Sequence, residues 1–331
     1  MIIVRTPLRI SFVGGGSDLK AFYEKYPGGV ISTAIDKYVF VIVKERFDDE
    51  IYINYSKKEC VSQVSDIQHD LVREAMKKTG IENGVEITTL ADIPSSGSGL
   101  GSSSSITVAL LHAFYNRQNI LVTAEQLAQE ACEIEIDILG KPIGKQDQYA
   151  AAYGNLNMFT FQSDGAVNRH PVETQNSFFR KFSSELLLYF TGITRSADAI
   201  LSEQTKNTFK TQKAEIMQQM VGLVEPFKTA VEEGDSEEAG RLLDQNWQLK
   251  QTMASGISNI QIEAMYQKAK AAGALGGKVC GAGGGGFLLL MVPREKQSSV
   301  FEAMAEYREL PFMLERGGSK VTFDDRRYSS K

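Results

Sequence analysis

Apolar positions divide the chain into a strand-rich first part and a later part in which helical spacing dominates. β-branched and aromatic residues form runs in the first part that are typical of strands, and one helix is expected around 66–79. These runs cover residues 2–13, 30–46, 51–55 and 85–90. Pro7 interrupts the first run, which predicts either two short strands or one strand with a proline at its edge.

Two helices are predicted in the middle of the chain. The first follows a serine-rich segment, and the second begins at Thr123, where T-x-x-Q (Thr123 to Gln126) matches a capping box. Gly140 and Pro142 are expected to end the second helix. The apolar residues at helical spacing are Ile106, Ala109, Leu110, Ala113 and Phe114 in the first helix and Leu127, Ala131, Ile134 and Ile138 in the second.

Strands and amphipathic helices alternate in the second half of the chain. The expected strands are 184–191, 286–292 and 320–323, and the expected helices are 197–220, 236–254, 258–272 and 295–307. Ser258 and Gln261 are expected to cap the third of these helices, and Gly273 to end it. This order favours the α+β class, with an antiparallel sheet backed by helices. The polar stretch 162–178 is the expected domain boundary.

Composition is that of an ordinary globular protein and excludes several classes. The 331 residues are 42% hydrophobic and 23% charged, which excludes a collagen, a coiled coil or a disordered chain. The apolar run from Phe287 to Val292 has six residues and no run is longer. A membrane-spanning helix needs about 20. Arg5 and Arg9 interrupt the apolar N-terminus, so no signal peptide is expected.

The net charge indicates the kind of partner, and the cysteines indicate the cellular compartment. The net charge of −5 opposes a wide surface for nucleic acid or membrane. A phosphorylated small molecule remains compatible with it, because backbone N–H groups can hold phosphate. The 3 cysteines form neither a CxxC pair nor a disulfide framework, so a reducing cytoplasm is the expected compartment.

The strongest chemical signal is the segment PSSGSGLGSSSS, from Pro94 to Ser105. Glycine allows positive φ angles and lets the backbone approach a ligand closely. A helix follows at once, and the unpaired N–H groups at its start bind anions. The alternative is a flexible linker, but linkers do not usually lie between a strand and an amphipathic helix. The segment therefore predicts a phosphate-binding loop.

A second glycine-rich segment covers residues 276–286. It is not a Walker A motif, because neither serine nor threonine follows its Gly-Lys pair. Its GxGxxG pattern, at Gly281, Gly283 and Gly286, precedes a strand instead of opening a helix, so it is not a dinucleotide fingerprint. Two interpretations stay open, a loose hairpin connection and a second backbone surface that approaches the substrates.

Two carboxylates stand out by their setting. Glu135 lies on the second predicted helix, and Asp147 follows the loop that ends that helix. The weakly polar run YAAAYG comes shortly after Asp147, so this carboxylate needs a partner, for which Arg9 and Lys145 are candidates. In phosphoryl transfer, one acid of this kind accepts a hydroxyl proton while another holds Mg²⁺.

Three separated motifs resemble those of the GHMP kinase superfamily, which includes galactokinase, homoserine kinase, mevalonate kinase and phosphomevalonate kinase. The motifs are PxRx4Gx3D from Pro7 to Asp18, PSSGSGLGSS from Pro94 to Ser103, and the glycine-rich segment from Lys278 to Gly286. The resemblance spans nearly the whole chain. It implies a two-domain α+β fold, with a mixed α/β domain over 1–176 and an antiparallel sheet backed by helices over 177–331.

The resemblance also implies roles for particular residues. Arg9 and Asp147 would be catalytic, with Asp147 as the base or the group that orients the sugar hydroxyl. Ser103 and Glu135 would hold Mg²⁺. The ATP-binding residues would be Pro94, Ser96, Gly97, Ser98, Gly99, Leu100, Gly101, Ser102, Ser103 and Ser104.

A sugar is the acceptor that the resemblance implies, with Asp18 binding its hydroxyls. The substrate-binding residues would be Gly15, Gly16, Ser17, Asp18, Asp147, Arg195, Gly283 and Gly284. The candidate cations for the phosphate of the acceptor are Lys37, Lys145, Arg195 and Lys278. Galactokinase-like members have histidine two residues before the acid of the first motif, where this chain has Gly16. Galactose is therefore not the expected acceptor.

Within the superfamily, the chain is most similar to the heptose 7-phosphate kinases, through residues 6–18, 32–38 and 190–197. This implies ATP-dependent phosphorylation of the anomeric hydroxyl of D-glycero-D-manno-heptose 7-phosphate. The alternatives are another kinase of this fold, acting on L-fucose or mevalonate, and a non-catalytic sensor that binds sugar and ATP. A small sugar phosphate is the expected partner, nucleic acid and membrane are not expected, and a monomer or homodimer is expected.

Overall fold

Mixed strands and helices make up the computed structural model, which describes residues 1–94, 97–194, 200–203 and 211–325. The strands are β1 (Ile2–Ser11), β2 (Gly28–Glu45), β3 (Ile51–Asn54), β4 (Lys58–Val61), β5 (Val85–Ala91), β6 (Leu156–Phe161), β7 (Val167–Pro171), β8 (Leu186–Phe190), β9 (Gly276–Val279), β10 (Phe287–Met291), β11 (Leu314–Glu315) and β12 (Lys320–Asp324). The helices are α1 (Lys20–Tyr23), α2 (Asp70–Thr79), α3 (Ser102–Arg117), α4 (Ala124–Cys132), α5 (Gln146–Tyr153), α6 (Asn176–Ser184), α7 (Thr211–Gly222), α8 (Val224–Glu233), α9 (Ser236–Gln251), α10 (Ile260–Ala271) and α11 (Gln297–Ala303). A π-helical segment, Glu133–Ile138, continues α4.

β2 organises the larger sheet, because its 18 residues are long enough to pair with β1, β5, β6 and β11. The strand order is β12-β1-β2-β5-β3-β4, and β7 joins the sheet through β6. β1 is one continuous strand. Pro7 lies beyond its pairing with β12, at a register shift beside Leu8. The prediction of one strand with an edge proline is therefore the correct alternative.

The larger hydrophobic core joins this sheet to the helices packed against it. α3 packs on β1 and β2, and Ala109 and Phe114 of α3 are fully buried. The same core includes Phe227 of α8, whose ring stacks on Phe12 with centroids 5.2 Å apart. Helices of the second half therefore share a core with the larger sheet. Burial of the apolar side chains of this core fixes the loop that follows β1 against α8 and α9.

A smaller antiparallel sheet, in the order β8-β10-β9, lies in the second half. Its core contains the fully buried Trp247 of α9 and Tyr266 of α10. α9 lies close against β9, where a Cβ atom on Gly276 would be 2.1 Å from the carbonyl oxygen of Gly240. Only glycine permits so close an approach of helix to strand. The fold confirms the expected antiparallel sheet backed by helices.

The helix caps agree with the sequence in one case and not in another. The Thr123 side chain accepts a hydrogen bond from the Gln126 backbone N–H at 3.1 Å, as predicted. The predicted cap of α10 by Ser258 and Gln261 is wrong. The Asn259 side chain accepts from the Ile262 N–H at 2.9 Å instead, and asparagine is among the best N-cap residues.

The π-helical segment explains why one predicted apolar face breaks. Leu127, Ala131 and Ile134 are buried as predicted, but Ile138 is 49% exposed. A π turn contains more residues than an α turn, so it rotates the following side chains away from the original face. Such segments are frequent at functional sites, and this one carries Glu135.

The end of the chain returns to the larger sheet. β11 pairs with β2, and β12 pairs with β1 over Ile2 to Arg5. The division at residue 176 stays a prediction. The helix predicted over 197–220 lies partly outside the described residues, and α8 was not predicted. In the ranges that the structure describes, no helix is both long and apolar enough to cross a membrane.

Candidate active site

The segment before α3 has the geometry expected of an anion-binding loop. Gly97, Gly99 and Gly101 have φ angles of 75°, 73° and 78°, a conformation that other residues rarely adopt. Gly101 is the N-cap of α3, and no side chain of the described residues caps the helix there. The first N–H groups of α3 are therefore available to a phosphate. Ser96, which was also predicted to bind ATP, lies outside the described residues.

The two glycine-rich segments contact each other backbone to backbone. A Cβ atom on Gly99 would lie 2.5 Å from the Cys280 carbonyl oxygen, and one on Gly286 would lie 2.4 Å from that of Ser98. The second glycine-rich segment, residues 276–286, thus packs against the first loop and supports it. Gly283 and Gly284 pack against Ile257, whose carbonyl oxygen accepts a hydrogen bond from the Gly284 N–H at 2.8 Å.

Arg9 links the first loop to Asp147. Its Nε and NH2 groups donate to the two carboxylate oxygens of Asp147 at 2.7 and 2.6 Å, and NH1 donates to the Gly99 carbonyl at 2.6 Å. Arg9 is only 4% exposed, and the Asp147 side chain is 24% exposed. A bidentate pair of this kind fixes the carboxylate in position and orientation. The ion pair that was predicted for Asp147 is confirmed with Arg9.

Asp18 is held in a buried network beside this pair. Its Oδ1 accepts from the Gly16 N–H at 3.0 Å and the Gln146 side chain at 3.1 Å, and its Oδ2 accepts from the Gln146 N–H at 3.2 Å. Burial raises the pKa of Asp18, and the negative charge of Asp147 raises it further. Gly144 lies directly over the carboxylate, because its Cβ would be 1.9 Å from Asp18 Oδ2.

Glu135 and Ser103 form a second group of oxygen atoms at the start of α3. Ser103 Oγ donates to Glu135 Oε1 at 2.7 Å, and Gln148 Nε2 donates to Oε2 at 2.7 Å. Glu135 has 0% exposure, and this burial raises the pKa of its carboxyl group. Lys141 lies 3.9 Å from Oε1. The Oε1 atom of Gln148 is buried without a hydrogen-bond partner in the described part of the chain.

Two buried lysines lie under the glycine turn that follows β1. Lys278 Nζ donates to the carbonyl and hydroxyl oxygens of Ser11 at 2.8 and 3.1 Å, and Lys250 Nζ donates to the Gly15 carbonyl at 2.9 Å. Burial lowers the pKa of Lys250 to about 8 and that of Lys278 to about 7. The Lys250 charge also lowers the pKa of Lys278. Lys250 was missed in the sequence, because its helix has a polar pattern.

The buried lysines predict how stability changes with pH. Between pH 7 and 10.5 the unfolded chain holds the Lys278 proton and the folded chain releases it, so the free energy of unfolding rises with pH. One such group contributes at most about 1.4 kcal/mol per pH unit. Urea unfolding at pH 7 and pH 9 is expected to show a smaller rise in Lys278→Met than in the wild type. The exposed control Lys57→Met should match the wild type, and an unchanged rise in Lys278→Met would refute the expectation.

The structure brings four of the eight predicted substrate-binding residues, and the predicted catalytic Arg9, to one cavity, whose lining does not include Ser17, Gly283 or Gly284. Its lining includes Arg9, Gly15, Gly16, Asp18 and Asp147, together with Gln146, Lys250, Gly281 and Ala282, which were not predicted to bind substrate. Ser17 instead holds the turn, since its hydroxyl donates to the Gly29 carbonyl at 2.9 Å. Of the other predicted cations, Lys37 pairs with Asp36 and Lys145 donates to Gly165. Arg195 lies outside the described residues.

Comparison with known proteins identifies the class. The sequence models of the GHMP kinase N-terminal and C-terminal domains match residues 67–155 and 227–309. The protein belongs to the GHMP kinase family and has its fold, in which a mixed α/β part precedes a sheet with helices. It is therefore a phosphotransferase with an alcohol group as acceptor, and ATP is the phosphoryl donor of this family.

Sugar kinases are among its relatives. The chain is 31% identical to the D-glycero-alpha-D-manno-heptose 7-phosphate kinase of Campylobacter jejuni, over 92% of this chain and 93% of that protein. It is 28% identical to the L-fucokinase/L-fucose-1-P guanylyltransferase of Bacteroides fragilis, over 89% of this chain but 35% of that longer protein. A solved D-glycero-D-manno-heptose 1-phosphate kinase from Bacteroides thetaiotaomicron is 26% identical, with a TM-score of 0.82 over 99% of this chain and 100% of that one. These similarities identify the protein as a GHMP sugar kinase.

Proposed function

We propose that this protein transfers the γ-phosphoryl group of ATP to the anomeric hydroxyl of D-glycero-D-manno-heptose 7-phosphate, giving the 1,7-bisphosphate. The observation that carries the proposal is the position of Arg9. It binds Asp147 with two hydrogen bonds and Gly99 of the first loop with a third. A hydroxyl bound at Asp147 is thereby held next to the loop proposed for ATP. Positioning of this kind supplies much of the catalysis in phosphoryl transfer.

The donor side of the site is formed by backbone and hydroxyl groups. The three glycines from 97 to 101 turn the chain around the place proposed for the phosphates, and α3 directs its first N–H groups and positive dipole end to the same place. Pro94, Leu100 and the serines Ser98, Ser102, Ser103 and Ser104 are proposed to complete this surface.

Mg²⁺ fits the residues at the start of α3. The atoms of Glu135, Ser103 and Gln148 that can act as metal ligands are oxygens, which are the ligands that Mg²⁺ prefers. The Gln148 Oε1 atom, which has no partner among the described residues, is consistent with an additional ligand or ion-bound water there. Ser103 and Glu135 are proposed to hold the ion, which would neutralise charge on the phosphates when bound. Burial of Glu135 favours occupancy, since a bound cation would offset the loss of water around its carboxylate.

On the acceptor side, Asp147 is proposed to accept the hydrogen bond of the anomeric hydroxyl and to take its proton as the bond to phosphorus forms. The Arg9 guanidinium holds both carboxylate oxygens, so the hydroxyl meets a carboxylate of fixed direction. Asp18 is proposed to bind other sugar hydroxyls. Gly283 and Gly284 are proposed to shape the site by supporting the loops, together with Gly15 and Gly16.

The position of the acceptor phosphate separates two closely related substrates. A heptose 1-phosphate already carries phosphate on its anomeric oxygen, so a kinase acting on it must phosphorylate another hydroxyl. The 7-phosphate is proposed because the relative that is 31% identical carries that name and the sequence motifs agree with it. Lys250, Lys278 and Arg195 are proposed to bind the 7-phosphate, whose negative charge would favour the protonated form of the two lysines. The similarity to a fucokinase makes L-fucose the second candidate.

The experiment that tests this function is Mg²⁺-dependent ADP release with a panel of acceptors. The panel contains the heptose 7-phosphate, the heptose 1-phosphate, L-fucose, galactose, mannose and mevalonate. Selective release with the heptose 7-phosphate is the expected result. ADP release only with L-fucose would support the assignment as a sugar kinase and reject the heptose as its substrate. ATP binding with no ADP release for any acceptor would favour the non-catalytic sensor. The structure argues against a sensor, because it keeps the three residues proposed for catalysis and metal binding, Asp147, Glu135 and Ser103.

A further inference from the structure

Gln146 precedes Asp147 in the chain and binds Asp18, and the protein fixes the orientation of its side-chain amide. Its Nε2 donates to Asp18 Oδ1 at 3.1 Å, while its backbone N–H donates to Oδ2 at 3.2 Å. The opposite amide orientation would place Oε1 against a carboxylate oxygen, where two acceptors repel each other. The hydrogen-bond network therefore determines which side of the amide faces away from Asp18.

The remaining polar atom of this side chain has no partner. Gln146 Oε1 is buried, and no hydrogen-bond donor of the described residues reaches it. Leaving a buried acceptor unsatisfied costs about 1–3 kcal/mol. Gln146 also lines the cavity that contains Asp18, Asp147 and Lys250. An unsatisfied acceptor in the lining of a substrate cavity is best explained by a donor that the substrate brings.

We propose that Gln146 is an acceptor-binding residue that takes a hydrogen bond from a second hydroxyl of the sugar. This inference rests on the proposed function and deepens it. The Oε1 atom of Gln146 and the carboxylate of Asp18, joined by the bond between them, form a pair of hydrogen-bond acceptors beside Asp147. Asp147 binds the reacting hydroxyl, and Gln146 with Asp18 binds hydroxyls next to it.

The chemistry of this pair defines the class of substrate. Both groups require donors, which the neighbouring hydroxyls of a polyol supply and a carboxylate does not. Mevalonate has a single hydroxyl besides the one that would be phosphorylated, so it could supply only part of the donors that these acceptors require. A site built to bind a hydroxyl also discriminates strongly against an analogue that lacks it, because its buried polar groups are then unpaired. The structure thus assigns specificity for polyhydroxylated sugars to Gln146 and Asp18.

The test uses the full-length protein with Gln146→Met, which keeps the length of the side chain and removes both polar atoms. The substrates are the heptose 7-phosphate and its monodeoxy analogues at carbons near the anomeric centre. The KM for the full sugar is expected to rise between about 10- and 100-fold, with kcat within a few-fold and the KM for ATP unchanged. Gln267→Met, on the exposed face of α10, is the matched control and should behave as the wild type.

The deoxy analogues give the decisive comparison. With the wild type, one of these analogues is expected to have a kcat/KM at least about 10-fold below that of the full sugar. With Gln146→Met, the kcat/KM values of the full sugar and of that analogue are expected to be nearly equal. Gln146→Asn, which withdraws the amide by one methylene, should show the same pattern and covers the case in which the methionine variant does not fold. A wild-type KM in both variants, or undiminished discrimination against every deoxy sugar, overturns the inference. A wild type that phosphorylates no sugar overturns the proposed function, and the inference with it.

Discussion

Replacing Asp147 with asparagine is expected to lower turnover by about 10²- to 10⁴-fold, the usual contribution of a positioned acid or base. Asparagine keeps one oxygen to accept a hydrogen bond from Arg9, so the side chain stays in place. It cannot take the proton of the sugar hydroxyl, and it no longer provides the charge that orients that hydroxyl. The loss should therefore appear in kcat, measured by steady-state ADP release at saturating acceptor.

Nucleotide binding separates this loss from unfolding. Asp147→Asn should bind ATP with an affinity within a few-fold of the wild type, because the proposed phosphate contacts come from the loop at 97–101 and the start of α3. Asp49→Asn, on an exposed turn, is the control for loss of one negative charge and should retain full turnover. Near-normal turnover in Asp147→Asn would reject the role proposed for this carboxylate.

Adding a single methyl group at Gly144 is expected to raise the KM for the sugar by about 10²-fold, since a misplacement of about 1 Å at a site can cost that much. The new Cβ would lie 1.9 Å from Asp18 Oδ2 and 2.9 Å from the Asp18 carbonyl oxygen. Asp18 must then move, and its bonds to Gly16 and Gln146 weaken. Gly144 does not have a positive φ angle, so alanine adds no backbone strain there.

The steric origin of this effect can be checked directly. Gly222→Ala, at a helical position with open space around its Cβ, should leave all kinetic constants unchanged. In Gly144→Ala, the KM for ATP should stay near the wild-type value while the KM for the sugar rises. An equal rise in both constants would indicate a general disturbance of the site. An unchanged KM for the sugar would show that the position of Asp18 does not matter for acceptor binding.

Local sequence patterns were sufficient to predict the glycine turns before α3 and an ion pair for Asp147. The glycines from 97 to 101 have the positive φ angles that their spacing before a helix suggested. The ion pair of Asp147 followed from its apolar surroundings, because a carboxylate near a packed run needs a partner. Patterns of this kind are local, so they can be recognised without knowing which distant segments meet.

The residues that were missed depend on contacts between distant segments. Lys250 lies on a helix with a polar pattern, but this helix packs closely against β9 and its Lys250 is buried under Gly15, which is 235 residues away in the chain. The specificity proposed for Gln146 depends on Asp18, which is 128 residues away. The π turn at Glu135 changes the helical phase without a proline or glycine to mark it.

Phosphorus NMR of the reaction product tests most directly whether ATP phosphorylates the anomeric oxygen, as we propose. The protein is incubated with Mg²⁺, ATP and D-glycero-D-manno-heptose 7-phosphate, and the sugar product is isolated. The expected product has two phosphomonoester signals, one of them coupled to the anomeric proton. A new phosphate on any other carbon, or ADP formed with no new sugar phosphate, would contradict it.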